Sequence, residues 1–143
     1  MTVCFDHGNS APLIDRAHAI RRAVFIEEQH VSEPEEWDDL DQAAIHFIGV
    51  DADEDVATGR MMVANGVAKL QRIAVLKHAR GRNLGLKLIK TMMDVAEKGN
   101  NVHTFKLSAQ TYAIPFYERL GFVAFGDEYD DAGIPHRDMK RAV

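Results

Sequence analysis

Apolar residues recur every three to four positions at Leu13, Ala17, Ile20 and Val24, the spacing that lays one stripe along a helix. Ser10 suits the N-cap and Pro12 the first turn, where its missing N–H is no loss. The pattern therefore predicts a helix over 11–27. Beyond the acidic stretch that follows, the period shortens. Ala43 to Val50 and Val56 to Ala64 are apolar runs parted by the acidic turn Asp51 to Asp55, and the second leads into Asn65-Gly66, a hairpin signal. Three consecutive strands, 44–50, 56–64 and 67–76, are expected as an antiparallel meander. Leu84, Leu88, Met92 and Ala96 restore the helical period in a helix beginning near Gly81 and stopped by Gly99. Val102 to Ser108 reads as a strand, Thr111 to Leu120 as a helix ended by Gly121, and Phe122 onward as strand. This order describes a mixed α/β or α+β sheet, in which Leu70 to Leu107 forms a β–α–β crossover, right-handed by the general rule.

Composition narrows the function classes. The 143 residues hold 22 acids and 17 bases, a net charge of -5, which argues against nucleic acid and anionic membranes as partners and favours small molecules. A DNA-binding protein would need a basic recognition helix, and the single basic helix start has another use, given below. Cys4 is the only cysteine, so no intrachain disulfide forms, in keeping with a reducing cytoplasm. No leader-like N-terminus or apolar run of roughly 18 residues occurs, and no repeat or Pro/Gly/Ser linker divides the chain. One soluble cytoplasmic domain over 1–143 is expected. The seven histidines lack ligand spacing, so no metal is expected. Six of nine residues from Glu33 to Asp41 are acidic; a solubilising loop is the first reading, attraction of a cationic amine the second. Trp37 within it suits a lid over a cleft, an amine-facing wall or a subunit contact, which leaves a homodimer open.

The segment Arg80-Gly81-Arg82-Asn83-Leu84-Gly85-Leu86-Lys87 hands a strand to a helix through a basic, glycine-containing turn. Helix N-termini favour acids, yet no acid occurs here before Asp94. Free N–H groups, close approach at Gly81 and Gly85, and guanidinium groups together describe a phosphate or diphosphate cradle. A solvated basic face with Gly85 serving helix–sheet packing gives the same pattern. Neither the P-loop nor the Gly-x-Gly-x-x-Gly pattern occurs.

Downstream lies Gln110-Thr111-Tyr112-Ala113-Ile114-Pro115-Phe116-Tyr117-Glu118-Arg119-Leu120-Gly121-Phe122. In order and spacing, Arg80 to Gly85 resembles the Arg/Gln-x-x-Gly-x-Gly/Ala acyl-CoA loop of the GNAT N-acetyltransferases, and this second stretch resembles their Asn-x-x-Ala-x-x-Phe-Tyr-x-x-x-Gly-Phe motif. Arg21 to Gln29, the acidic loop, and Ala132-Gly133-Ile134-Pro135-His136 further resemble the small bacterial ElaA-like subgroup.

The resemblance implies the acyl-CoA N-acyltransferase fold, with a mostly antiparallel sheet splayed between its fourth and fifth strands, here Leu70 to Leu76 and Val102 to Ser108. It implies acetyl-CoA as co-substrate and a small amine as acceptor. Backbone amides at Ile73, Ala74 and Val75 would pair with the pantetheine arm, Arg80, Gly81, Arg82, Asn83, Leu84 and Gly85 would hold the diphosphate, and Gln110, Phe116 and Tyr117 would complete the cofactor site. The amine would attack the thioester directly, with an oxyanion held by an N–H near Ala74 or Val75 and Tyr117 as general acid. Three positions depart from the pattern. Asn83 replaces a glycine, Gln110 replaces an asparagine, and Gln71 stands where relatives often carry a glutamate base. Candidate bases are Glu28, beside Glu27 at the first helix's end, where a solvated helix end explains both equally well, and His46, for which a satisfied core histidine is the leading reading. Without a base, the chain would be a catalytically silent acyl-CoA-binding or interaction module.

Overall fold

Both residues of the Asn65-Gly66 pair take positive φ, 53° and 77°, the backbone of a two-residue hairpin turn. The meander expected around it is present. The computed structural model describes residues 1–9, 12–99 and 101–143; the Ser10 cap lies outside them. The strands are β1 (Thr2–His7), β2 (Ile45–Asp51), β3 (Glu54–Ala64), β4 (Val67–Val75), β5 (Thr104–Gln110), β6 (Val123–Asp131) and β7 (Ile134–Ala142). The helices are α1 (Leu13–Arg21), α2 (Glu33–Glu36), α3 (Leu84–Gly99) and α4 (Ile114–Glu118). One seven-stranded sheet runs β1-β2-β3-β4-β5-β7-β6. All its pairings are antiparallel except β4 with β5, the two strands joined through α3. No helix among the described residues is long and apolar enough to cross a membrane.

Each face of the sheet has its own core. Leu84, Leu88, Ile89, Met92, Met93 and Ala96 form the buried side of α3 against Phe47, Met61, Leu70, Phe105, Leu107 and Met139. Each large side chain so buried contributes up to about 1.5–3 kcal/mol. Ala17, Ile20 and Val24 pack with Ile48 and Ala74 on the other face. The first helix reaches the expected end in two conformations, α-helical to Arg21 and then π-helical over Arg22–Glu28, with Gln29 N–H reaching back to Val24 O at 3.0 Å. Several elements differ from expectation: β5 runs Thr104–Gln110, and the segment expected as one helix over Thr111 to Leu120 is a 3-10 turn, Thr111–Ala113, followed by the short α4. β1 was not foreseen; Phe122 onward forms a hairpin of two strands; and the helix after the glycine turn begins at Leu84.

The largest difference concerns Glu33 to Asp41, which is only partly solvated: Glu33, Glu35 and Asp39 are exposed, whereas Glu36 and Asp41 are buried. Arg21 and Arg60, each 1% exposed, point into it from α1 and β3. Arg21 donates to Glu36 Oε2 and Asp41 Oδ1, each at 2.8 Å. Arg60 donates to Asp38 Oδ1 and Oδ2 at 2.7 and 3.0 Å and to Asp41 Oδ1 at 3.0 Å. Arg72 of β4 lies 3.1 Å from both Glu36 and Asp38. Trp37 packs at a tilt against His18 and lies under Arg21 and Arg22, so it packs on the first helix and does not line the main cleft. Charge balance explains the sequence: buried guanidinium groups demand carboxylates, since an unpaired buried ion costs several kcal/mol.

Burial alone would raise the Asp41 carboxyl pKa. Hydrogen bonds from His18 and Arg21 and the Arg21 and Arg60 charges outweigh it and hold the group far below the usual range. A carboxyl lowered on folding contributes stability that is complete above its unfolded value of about 3.9 and lost as pH falls toward the folded value. Glu36, which burial pushes upward, contributes with the opposite sign. Asp41→Asn should therefore cost about 3–5 kcal/mol near neutral pH. Urea unfolding of both proteins at successive pH values should show that deficit shrinking below about pH 4; a constant deficit would mean that the charge of Asp41 is not what stabilises the fold.

Candidate active site

The parallel pairing of β4 with β5 stops early. Val67 to Leu70 are matched with Thr104 to Leu107, and beyond Leu70 and Leu107 the register ends. The cause lies in β4. Its other neighbour pairs Gln71 with Arg60 and Ala74 with Thr58, so Arg72 and Ile73 together oppose Gly59, a β-bulge. Arg72 takes φ 52°, a left-handed conformation that costs a non-glycine residue of order 1–3 kcal/mol. Its ion pairs with Glu36 and Asp38 offset that strain. The bulge bends β4 away, and a cleft of about 490 Å³ opens between the strands.

Ile73, Gln71 and Arg72 line the cleft from β4, Lys106, Ser108 and Gln110 from β5, and Tyr112 and Tyr117 from the segment after it. Phe25, Gln29 and Glu36 form one wall, Asp131, Ala132, Ile134, His136 and Asp138 another. The π-helical turns bring Gln29 to the rim, where its Oε1 accepts Gln110 Nε2 at 2.8 Å. Leu76 N–H is given to Val56 O; extended-strand alternation then turns Val75 outward, and its carbonyl accepts Arg80 Nε at 2.9 Å. The unpaired edge of β4 thus leads directly to the basic turn.

In that turn Gly81 and Asn83 have φ 83° and 59°, so asparagine does take the left-handed conformation. Lys87 N–H is bonded back to Asn83 O at 3.2 Å, leaving the first-turn amides of α3 without helical partners. A Cβ on Gly85 would stand 3.3 Å from Val75 Cγ2, so this glycine serves helix–sheet packing. Both loop arginines meet carboxylates: Arg80 bridges Glu28 bidentately at 2.6 and 2.7 Å, and Arg82 lies 2.5 Å from Asp51.

Tyr117 stands against Phe116 and Phe122; burial, with a smaller effect from Tyr112, pushes its phenol well above the ordinary tyrosine value. Neither candidate base is among the cleft-lining residues. Hydrogen bonding to Arg80 lowers the Glu28 carboxyl. His46 is 1% exposed, with Nε2 bonded to the Asp41 carbonyl at 2.9 Å, and desolvation lowers its imidazole. Gln71 has its Oε1 committed to Arg60 Nε and to a second Arg60 nitrogen, at 3.1 and 2.9 Å.

A residue noted in sequence only as part of Ala132 to His136 is better placed. His136, buried in the cleft wall at 9% exposure, has Nδ1 2.7 Å from Ile134 O. A carbonyl only accepts, so Nδ1 carries the hydrogen and the neutral ring keeps its Nε2 lone pair. The Tyr129 ring stacks on it, and the Tyr129 hydroxyl joins Ser108 and donates to Asp138 at 2.6 Å. The sequence signal was this histidine beside Pro135; what hid its role was the strand pairing that sets it opposite Gln110.

Residues 14–143 match the family model described as an acetyltransferase (GNAT) domain. The "Uncharacterized N-acetyltransferase YjcF" of Bacillus subtilis is 37% identical over 126 residues, 87% of this chain and 89% of that protein. "Protein ElaA" of Escherichia coli is 29% identical over 87% of this chain and 84% of its own length. A solved acyl-CoA N-acyltransferase from Pseudomonas aeruginosa superposes with a TM-score of 0.88 at 28% identity, covering 99% of both chains. With the splayed sheet and the basic turn, these likenesses identify the chain as a member of the GNAT acetyltransferase family, an acyl-CoA-dependent acyltransferase.

Proposed function

We propose that this protein transfers an acetyl group from acetyl-CoA to the primary amine of a small molecule by direct attack in a ternary complex. The observation that carries the reading is the parting of β4 from β5 after Leu70 and Leu107, which leaves a free amide edge between the basic turn and a cleft that holds Tyr117 and His136. The Ile73 and Val75 amides fit the pantetheine arm and the carbonyl oxygen that becomes an oxyanion as the amine adds. The α3 first-turn amides with Arg80 and Arg82 fit the diphosphate, which would take over from Glu28 and Asp51. Those bridges lie at the surface, where solvent screens an ion pair, so the exchange is inexpensive.

Tyr117 faces the departing sulfur on this reading. Its raised pKa keeps the phenol protonated but makes full proton loss costly, so it serves best as a hydrogen-bond donor to the developing thiolate. His136 is the group assigned to take the proton from the acceptor's ammonium through Nε2, which frees the amine lone pair that then attacks the thioester. Gln71 cannot do so, its amide having no basic site.

A screen of primary amines for thiol release from acetyl-CoA tests the activity; binding of acetyl-CoA without turnover of any amine would instead support a silent binding module. Arg80→Ala with Arg82→Ala should weaken CoA about tenfold or more in low salt, the loss of charged contacts of at least about 1.5 kcal/mol, and the difference should shrink as salt screens the site. Equal CoA affinity, by calorimetry, would remove the arginines from the site. Tyr117→Phe keeps the ring and should retain that affinity while kcat falls about 10²–10³-fold, the usual loss for one oriented donor. A native kcat would leave water as the donor. His136→Gln should lower kcat/KM at least 10²-fold with partial recovery on adding imidazole; an unrescued or unaffected variant would exclude it as the proton acceptor.

A further inference from the structure

Lys69 of β4 is the direct partner of Lys106 on β5, which is the partner of Lys140 on β7. Three ammonium groups therefore stand abreast across adjacent strands, although like charges placed opposite one another weaken a sheet. Lys140 is accommodated by the Phe125 ring, 4.9 Å from its Nζ. Among the described residues neither Lys69 nor Lys106 has a carboxylate partner, which is true of the other lysines as well; what sets these two apart is that they face each other across the strands that part to form the cleft. Both line the cleft.

The strand register fixes where. Lys106, Ser108 and Gln110 follow one another on the same face of β5, and Ser108 and Gln110 are matched by Asp138 and His136 of β7. A rise of about 3.3 Å per residue puts the lysine row roughly 7 Å from the Ser108 and Asp138 row and roughly 13 Å from the Gln110 and His136 row. None of the cleft's carboxylates forms an ion pair with either lysine: Glu36 is bound by Arg21 and Arg72, Asp138, a row away, accepts the Tyr129 hydroxyl, and Glu35 and Asp131 line the cleft without meeting them. One end of the cleft thus offers groups suited to an amine and the other a pair of cations.

We propose that the acceptor is an amine that also bears an anionic group, a carboxylate or phosphate, which Lys69 and Lys106 hold while the amino group lies in the His136 row. This rests on that row being the acyl-transfer end. The separation selects an amine at the far end of a chain, since an α-amino group lies too close to its own carboxylate to span two rows. A polyanion is disfavoured, because Asp127, Glu128, Asp130 and Asp131 crowd the neighbouring strand.

The test is an NMR titration of CoA-loaded protein with 6-aminohexanoate, 8-aminooctanoate and 6-aminohexyl phosphate, each set against hexylamine. At least one anionic probe should bind tenfold or more tightly than hexylamine and shift the amides of Lys69, Lys106 and Ser108. Lys69→Gln with Lys106→Gln should abolish that preference and retain the native melting temperature. The carboxylate and phosphate arms show which anion is preferred. Equal binding of hexylamine and the anionic probes, no binding of any anionic probe, or a preference that survives the double substitution would overturn the inference. Failure of CoA itself to bind would instead overturn the acyl-transfer reading.

Discussion

A buried ionic cluster holds this molecule in its working shape. Arg21, Arg60 and Arg72 come from a helix and two strands and converge on Glu36, Asp38 and Asp41 of one short segment. Desolvation makes such a cluster an all-or-none arrangement, since any missing partner strands a charge. It fixes where α1 lies on the sheet and restrains Arg72 in its left-handed conformation. Arg72 stands in the bulge, just past the point where β4 parts from β5, so the ionic cluster borders the opening of the sheet.

The cleft joins elements far apart in sequence. β4 supplies an amide edge, the turn before α3 supplies positive charge, and α1 widens into π-helical turns that carry Phe25 and Gln29 to the rim. The β6–β7 hairpin closes the remaining side, bringing His136 and Asp138 against β5. Each contribution is modest, and their convergence depends on strand order, above all on β7 lying between β5 and β6.

Much of this was legible in the residues. The Asn65-Gly66 turn, the Leu84 to Ala96 stripe and the basic turn fixed the meander, the crossover helix and the anion-suited end, since each rests on local backbone chemistry. The Gly85 and Phe116-Tyr117 spacings carried the family. What stayed hidden depends on partners distant in sequence. Six acids in nine residues look like a solvated loop until three arginines elsewhere are known to face them. His46 and His136 are equivalent as letters; only tertiary pairing hides one behind Asp41 and leaves the other on the cleft. β1 escaped notice because its half-exposed residues carry no clean alternation.

The open sheet ends in two unlike edges. β1 presents Thr2–His7, with Phe5 47% exposed, whereas β6 carries Asp127, Glu128, Asp130 and Asp131 along its outer margin. An unpaired strand is a template for addition of another chain, and crowded like charge blocks that addition. Two copies meeting through β6 would align acid against acid, so that margin repels its own kind. Among the described residues the β1 margin carries no comparable run of like charge, so the two edges of one sheet differ in what they would admit.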